Sequence, residues 1–403
     1  MWLTWHLTDS YLRSIRRIAL PFLCLALTGC SSFSFNPATW FGDDEVNPPK
    51  ELVDIDTEVT LRRLWSVNVG NGQGDNYTKL TPAISNGVVY TASENGVVVA
   101  VELSSGNVLW RNRLDDIVIT GGVGTGGGLV AFGTRDAEVI ALNQQDGEIA
   151  WTSQVTSEVV APPVGNSDII VVQTVDDKVA ALEVSDGQRR WIYESTQPAL
   201  TLRGTSTPVI TSLGTVVAGF SNGTLVAVSA ADGVWRWEER VAVPDGRYDI
   251  DRVIDVDGDL LLDGNRVIAS SYQGNLMALD VVSGRIVWGL ENASSYHGLT
   301  RGFGNLYYCN DESVVIAVRD NTETIAWENA DLQYRSITAP TSFNNYVAVA
   351  DFEGFIHLIS QIDGRIVGRT RVDNDGVRAK LLAANGQLIA YGNSGRLEAF
   401  SLQ

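Results

Sequence analysis

The sequence predicts an all-β fold: an eight-bladed β-propeller of four-stranded blades, its ring closed by combining strands from the two ends of the chain. Three observations predict it. The composition pairs 39 glycines with short runs of Val, Ile, Thr and aromatic residues, a mix that favours strands joined by tight turns. A unit ending in tryptophan recurs at a spacing that suits four strands. Finally, each end of the chain carries only part of that unit. At 403 residues the chain could hold two or three ordinary domains, but closed repeat folds often run this long as one body.

The first element is an address. Arg13, Arg16 and Arg17 precede an apolar run from Ile18 to Leu27, too short to span a bilayer and suited to the apolar region of a secretory signal. The run ends in Leu27-Thr28-Gly29-Cys30, which resembles a bacterial lipobox. On that resemblance residues 1–29 are a lipoprotein signal peptide and Cys30 is the lipidated first mature residue. Ser31 follows in place of the aspartate that commonly retains lipoproteins in the inner membrane, which implies delivery to the outer membrane. The segment before Arg13 is longer than such signals need, which points to a later start.

The leader's three arginines and Asp9 carry a net +2, so its removal takes the formal charge from −19 to −21. That sign is wrong for tracking a phosphate backbone, and nucleic acid is excluded as a partner. Of the three cysteines, Cys24 leaves with the leader and Cys30 takes the lipid. Cys309 alone remains, so no internal disulfide forms, and Tyr307-Tyr308-Cys309 reads as a buried strand.

Residues 30–57 are rich in Ser, Asn and Pro, with Asp43-Asp44-Glu45 and Pro48-Pro49. They read as a flexible tether of about 30 Å. The propeller occupies 58–403. One copy of its unit reads Asn95-Gly96-Val97-Val98-Val99-Ala100-Val101-Glu102, then Ser105-Gly106, then Trp110. Asn-Gly is expected to form a two-residue hairpin turn, the Val/Ala run a buried strand, and the second glycine another turn. The spacings from Trp65 through Trp110, Trp151, Trp191, Trp237 and Trp288 to Trp327 are 45, 41, 40, 46, 51 and 39 residues. In a seventh unit Gly368 stands where tryptophan is expected. Pro82, Pro163, Pro208 and Pro340 mark first strands. Gly395 to Phe400 starts a unit that stops before its tryptophan, and Leu64-Trp65 is a tryptophan strand without its unit. Combining the two makes the eighth blade and removes the free sheet edge. The tryptophans are expected to pack between blades.

These Ala-x-(Asp/Glu)-x-x-(Asp/Ser)-Gly-x-x-x-Trp units resemble the repeats of pyrroloquinoline-quinone (PQQ) dehydrogenases, a likeness that does not by itself discriminate function. With the lipobox, the propeller-only length and two irregular stretches, the chain is similar to the BamB family of lipoproteins of the outer-membrane β-barrel assembly machinery. The resemblance implies a periplasm-facing scaffold at the outer membrane, docking on the periplasmic domains of BamA to support folding and insertion of outer-membrane proteins. Unfolded clients are a further partner class that the sequence leaves open. The irregular stretches are Leu200-Thr201-Leu202-Arg203-Gly204 and Asp249-Ile250-Asp251-Arg252 followed by Asp255-Val256-Asp257. Both are similar to the family's BamA-contacting segments, which carries that role onto Leu200, Leu202, Arg203, Asp255 and Asp257. Gly258-Asp259 departs from the small polar pair and proline usual there.

The residues argue for a contact site independently. In four-stranded blades every connection from last strand to next first strand lies on one face, so the two stretches are expected to be neighbours. The second is long, and long loops in compact folds are often functional. Leucines beside an arginine, facing aspartates, would make an apolar anchor with a charged rim.

Other chemistry finds little support. PQQ dehydrogenases share a vicinal cysteine pair, calcium ligands and a catalytic aspartate, and the mature chain has no second cysteine beyond its anchor. No enzyme activity, cofactor or metal is therefore expected; the alternative is an envelope propeller binding a small ligand or quinone, as a sensor or PQQ-type dehydrogenase. Gly122-Val123-Gly124-Thr125-Gly126-Gly127 fits a dinucleotide fingerprint formally, but a strand-like segment follows it, so it reads as a glycine-rich turn. Asp255, Asp257 and Asp259 echo a calcium loop whose closing position is Arg266, which cannot supply a bidentate carboxylate. His297 and His357 have no paired metal-ligand spacing.

Overall fold

Alternating buried and exposed positions build the blades. A computed structural model of the protein describes residues 47–75, 78–202, 205–245 and 247–403. Among these, 32 strands form eight four-stranded antiparallel sheets. Blade 1 comprises Ala83–Ser85, Val88–Ala92, Val97–Glu102 and Val108–Arg113. Blades 2 to 7 follow at 124–154, 164–194, 209–240, 261–290, 300–329 and 341–371. Blade 8 joins Leu382–Ala384, Gln387–Tyr391 and Arg396–Leu402 to the amino-terminal strand Leu61–Asn68, which pairs antiparallel with Arg396–Leu402. The expected ring closure is present. No helix among the described residues is long and apolar enough to cross a membrane.

In blades 1, 2 and 4 the third strand is buried on both sides, and the fourth shows one buried residue, the tryptophan, among largely exposed neighbours. The alanine of the repeat is that tryptophan's cross-strand partner: Ala100 opposite Trp110, Ala141 opposite Trp151, Ala181 opposite Trp191, Ala227 opposite Trp237. A small residue leaves room for a large one. Each ring then reaches the next blade. Trp65 lies against Gly106, where a Cβ would come within 2.5 Å of the indole, and its Nε1 donates to the Leu103 carbonyl at 2.8 Å. Trp110, Trp151, Trp191, Trp237 and Trp327 repeat both contacts with Gly147, Gly187, Gly233, Gly284 and Gly364. Trp288 does not: its Nε1 has no partner, and the corresponding turn in blade 6 carries Glu323 at the glycine position, with its positive φ at Asn321 instead.

Gly368 also acquires a reason. The blade that follows it is blade 8, whose third and fourth strands are the chain's two ends, so no hairpin turn exists there for a tryptophan to cover. The backbone leading into Leu61–Asn68 occupies the space: Glu58 N donates to the Val367 carbonyl at 2.8 Å, and a Cβ on Gly368 would meet the Val59 carbonyl at 2.5 Å. Across the strand pair Leu358 replaces the usual alanine, restoring the volume that glycine leaves.

Two local expectations change. The Asn95-Gly96 connection is four residues long; only Gly96 adopts positive φ (82°), while Asn95 Oδ1 accepts from Ser93 Oγ at 2.6 Å. The glycine-rich run at 122–127 holds an innermost strand, Gly124–Gly126, and enters a turn only at Gly127. Neighbouring innermost strands crowd near the ring axis, and a Cβ on Gly124 would lie 1.7 Å from the Pro163 carbonyl.

Within the segment expected as tether, residues 50–57 are held against blades 6 and 7. Arg335 donates to the Lys50 carbonyl at 3.0 Å and Arg369 to the Val53 carbonyl at 2.9 Å, while Leu52 and Ile55 pack on the core around Trp327. Both arginines belong to a buried network: Arg335 pairs with Asp351 at 2.8 Å, Asp351 with His357 Nε2 at 3.0 Å, and Arg369 Nε donates to His357 Nδ1 at 3.3 Å. Cys309 is buried.

Candidate functional site

The fourth-to-first connections between blades all emerge on one face, with the second-to-third turns between them. The connection from blade 3 to blade 4 spans 195–208, and that from blade 4 to blade 5 spans 241–260. They are neighbours, as the repeat geometry requires, and two hydrogen bonds join them among the described residues: Leu202 N donates to Asp255 Oδ2 at 2.7 Å and Thr207 Oγ1 to Asp259 Oδ1 at 2.6 Å.

Asp255 is not on a charged rim. It is 0% exposed, and its Oδ1 has no hydrogen-bond partner. Burial and the nearby Asp257 charge push its carboxyl up to about 8, against the pull of the Leu202 amide. Val253, Ile254 and Val256 are buried beside it. Asp255 is thus a buried acceptor for the Leu202 amide. Asp257 is half-buried, and burial raises it to about 7 although Lys79 opposes the rise.

Apolar and charged residues both face solvent here, the exposed charges on the second connection being Asp245, Arg247, Asp249, Asp251 and Arg252. Leu200 is exposed on the first connection, and Val243, Tyr248 and Ile250 on the second. Asp249–Arg252 forms one 3-10 turn, with Tyr248 N donating to Asp251 Oδ2 at 3.2 Å. Cys30 and Arg203, expected as lipid site and charged contact, lie outside the described residues, as does the whole segment 1–29.

The Gly258-Asp259 departure has a packing explanation. A Cβ at Gly258 would come within 2.2 Å of the His297 carbonyl, on the connection from blade 5 to blade 6. Asp259 accepts from Thr207 Oγ1 at 2.6 Å and pairs with Lys380 Nζ at 3.4 Å. Despite the opposing cost of burial, Lys380 and the Thr207 hydroxyl hold its carboxyl below the ordinary carboxylate range.

On the ring axis this face opens into a cavity of about 500 Å³ walled by all eight connections. Blade 8 to 1 contributes Lys79, and the next three Thr120, Pro162 and Leu202. Asp257, His297, Ala339 and Arg378 complete the circuit. Tyr296 stacks on His297 with centroids 4.1 Å apart, and Lys79 Nζ lies 5.3 Å over the Tyr296 ring. Burial, then the Lys79 charge, hold His297 well below the usual imidazole range, so it is neutral. Sequence reasoning placed Asp257 and Leu202 at a docking surface but missed Lys79, Arg378 and Lys380. The signal available was position: each precedes an innermost strand by a few residues, where a side chain reaches the axis. Among the described residues no group of three or more His, Cys, Asp or Glu is arranged to hold a metal ion.

Residues 51–120 and 94–329 match the family described as outer membrane protein assembly factor BamB. A protein of that name from Pseudomonas aeruginosa is 45% identical over 388 residues, covering 96% of this chain and 99% of its own. The Escherichia coli protein of that name is 32% identical over 392 residues, covering 94% and 98%. Among solved structures, BamB from Moraxella catarrhalis superposes with a TM-score of 0.78 at 27% identity, over 85% of this chain and 99% of that one. A quinohemoprotein alcohol dehydrogenase from Comamonas testosteroni superposes with a TM-score of 0.66 at 14% identity, over 84% and 76%, a likeness of fold alone.

Proposed function

The chain belongs to the BamB family of outer membrane protein assembly factors, and from that premise we propose that it is a non-enzymatic scaffold, tethered through Cys30 to the periplasmic side of the outer membrane, that docks on the periplasmic domains of BamA. As an assembly factor it acts in outer-membrane protein biogenesis. The observation that carries the docking reading is the Leu202–Asp255 hydrogen bond. It ties two adjacent connections into one ledge, from which Leu200, Val243, Tyr248 and Ile250 project. Apolar anchors held on a pre-organised backbone supply affinity without an ordering cost at the moment of binding. Arg203 would add a charged contact beside them.

The reading divides the five candidate residues by task. Leu200 and Arg203 contact the partner, Leu202 and Asp257 line the axial cavity at the ledge's inner side, and Asp255 holds the ledge in shape. Arg203→Glu is expected to reduce BamA copurification while leaving the fold intact, and a photo-crosslinker at Leu200 is expected to capture BamA in cells. Wild-type BamA yield from Arg203→Glu, together with crosslinks from Leu200 to other proteins only, would overturn it.

A further inference from the structure

The axial cavity carries one cation, Lys79, that no wall carboxylate pairs at contact distance. Asp259 is neutralised by Lys380 and Thr207. Lys79 has no such partner: among the described residues no carboxylate lies within ion-pair distance of its ammonium, although Asp257 and Asp259 are near enough to act on it electrostatically. Its Nζ rests over the Tyr296 ring, Tyr272 meets Tyr296 edge-on at 6.3 Å, and the neutral His297 offers no charge. Asp257 and Asp259 line the same cavity but stand beyond ion-pair distance, so a buried cation resting on an aromatic ring gains from a carboxylate that reaches it directly. Arg378 and Lys380, on the connection from blade 7 to blade 8, add positive charge to the same cavity. Three cations gathered beside two carboxylates, Asp257 and Asp259, in a chain of net charge −19 make a local feature and not a sample of the surface.

Its size and position identify the occupant. About 500 Å³ exceeds what a simple ion needs and suits one or two side chains of an inserted loop. Leu202 lies on both the docking connection and the cavity wall, so a partner seated on the ledge would stand at the cavity mouth. We propose that the cavity receives an acidic side chain from the docked partner, its carboxylate pairing with Lys79 while the residues flanking it cover Leu202. This rests on the docking reading above. The chemistry required of the partner is a surface loop bearing Asp or Glu beside an apolar residue.

The test uses the full-length chain in detergent, immobilised, with the periplasmic domains of BamA as analyte. Lys79→Gln is expected to weaken binding about tenfold and Lys79→Glu about thirtyfold or more, while Lys79→Arg stays within about threefold of wild type. Melting curves of the variants show whether the fold is retained. Leu200→Asp, outside the cavity, runs in parallel. If Leu200→Asp loses binding while Lys79→Gln and Lys79→Glu bind as wild type, the cavity proposal is overturned and the docking reading stands. If all of them bind as wild type, both fail. Sodium glutamate separates a free carboxylate from a partner's: glutamate-dependent stabilisation of wild type but not of Lys79→Gln, with BamA binding unchanged in both, makes the cavity a small-molecule site and overturns the proposal.

Discussion

Asp255→Asn should make this protein more stable, and the gain should grow with pH. The side chain is 0% exposed with one oxygen unpartnered, and its carboxyl is raised from 3.8 to about 8. Between those two values the folded state binds more protons than the unfolded one, so stability is fully present below about pH 3.8 and is lost as pH rises to about 8. Each pH unit is worth about 1.4 kcal/mol, which bounds the whole loss at roughly 6 kcal/mol and the part between pH 5.5 and 8 at about 3 kcal/mol. Asparagine removes the ionisation and keeps an oxygen that accepts from Leu202 N. Thermal melts of wild type and variant from pH 5.5 to 8 should therefore diverge, reaching a gap of about 4 °C or more at the upper end. BamA binding should persist in Asp255→Asn and fall in Asp255→Ala, which drops the ledge. A gap independent of pH, or a variant less stable than wild type at pH 8, would refute the reasoning, because Asp255 would then be a satisfied carboxylate.

Three further outcomes follow from the packing. Gly368→Ala, whose Cβ would lie 2.5 Å from the Val59 carbonyl, should cost about 1–3 kcal/mol and expose residues 50–59 to limited proteolysis. Trp191→Phe removes a 2.9 Å bond to the Ala230 carbonyl and strands that acceptor; chemical denaturation should show it about 1 kcal/mol more damaging than Trp288→Phe, which loses no such bond. Arg369→Ala removes the grip on the Val53 carbonyl and on His357 Nδ1, so hydrogen exchange at the Lys50 and Glu58 amides should accelerate while blades 1 to 5 keep their protection.

The blades were readable because their signals are local. Small residue, turn glycine and tryptophan recur at fixed offsets, and each makes sense within one hairpin or against the next. Residues 50–57 were harder to read: Leu52 and Ile55 sit among prolines and acids, and only the assembled core around Trp327 gives them a place to pack. At Asn95-Gly96 the glycine is required by a long-range neighbour, because the Leu114 carbonyl lies 2.2 Å from where a Cβ on Gly96 would be, a contact invisible in a dipeptide. At the candidate site, the adjacency of the two connections follows from repeat arithmetic. Which aspartate is buried does not, since Asp255 and Asp257 are two residues apart in a loop with no fixed period.

By itself, then, the sequence determined the strand period, the number of blades, the closure by the two chain ends and the pair of connections that break the pattern, because all of these are properties of spacing along the chain. Tertiary structure alone decided that Asp255 supports a ledge from within, that Gly368 makes room for the Val59 backbone, and that Lys79, Asp257 and Arg378, far apart in sequence, line one cavity. The physical reason is the ring: closing it carries eight separate connections to a common axis, where burial and charge depend on neighbours that no linear spacing encodes.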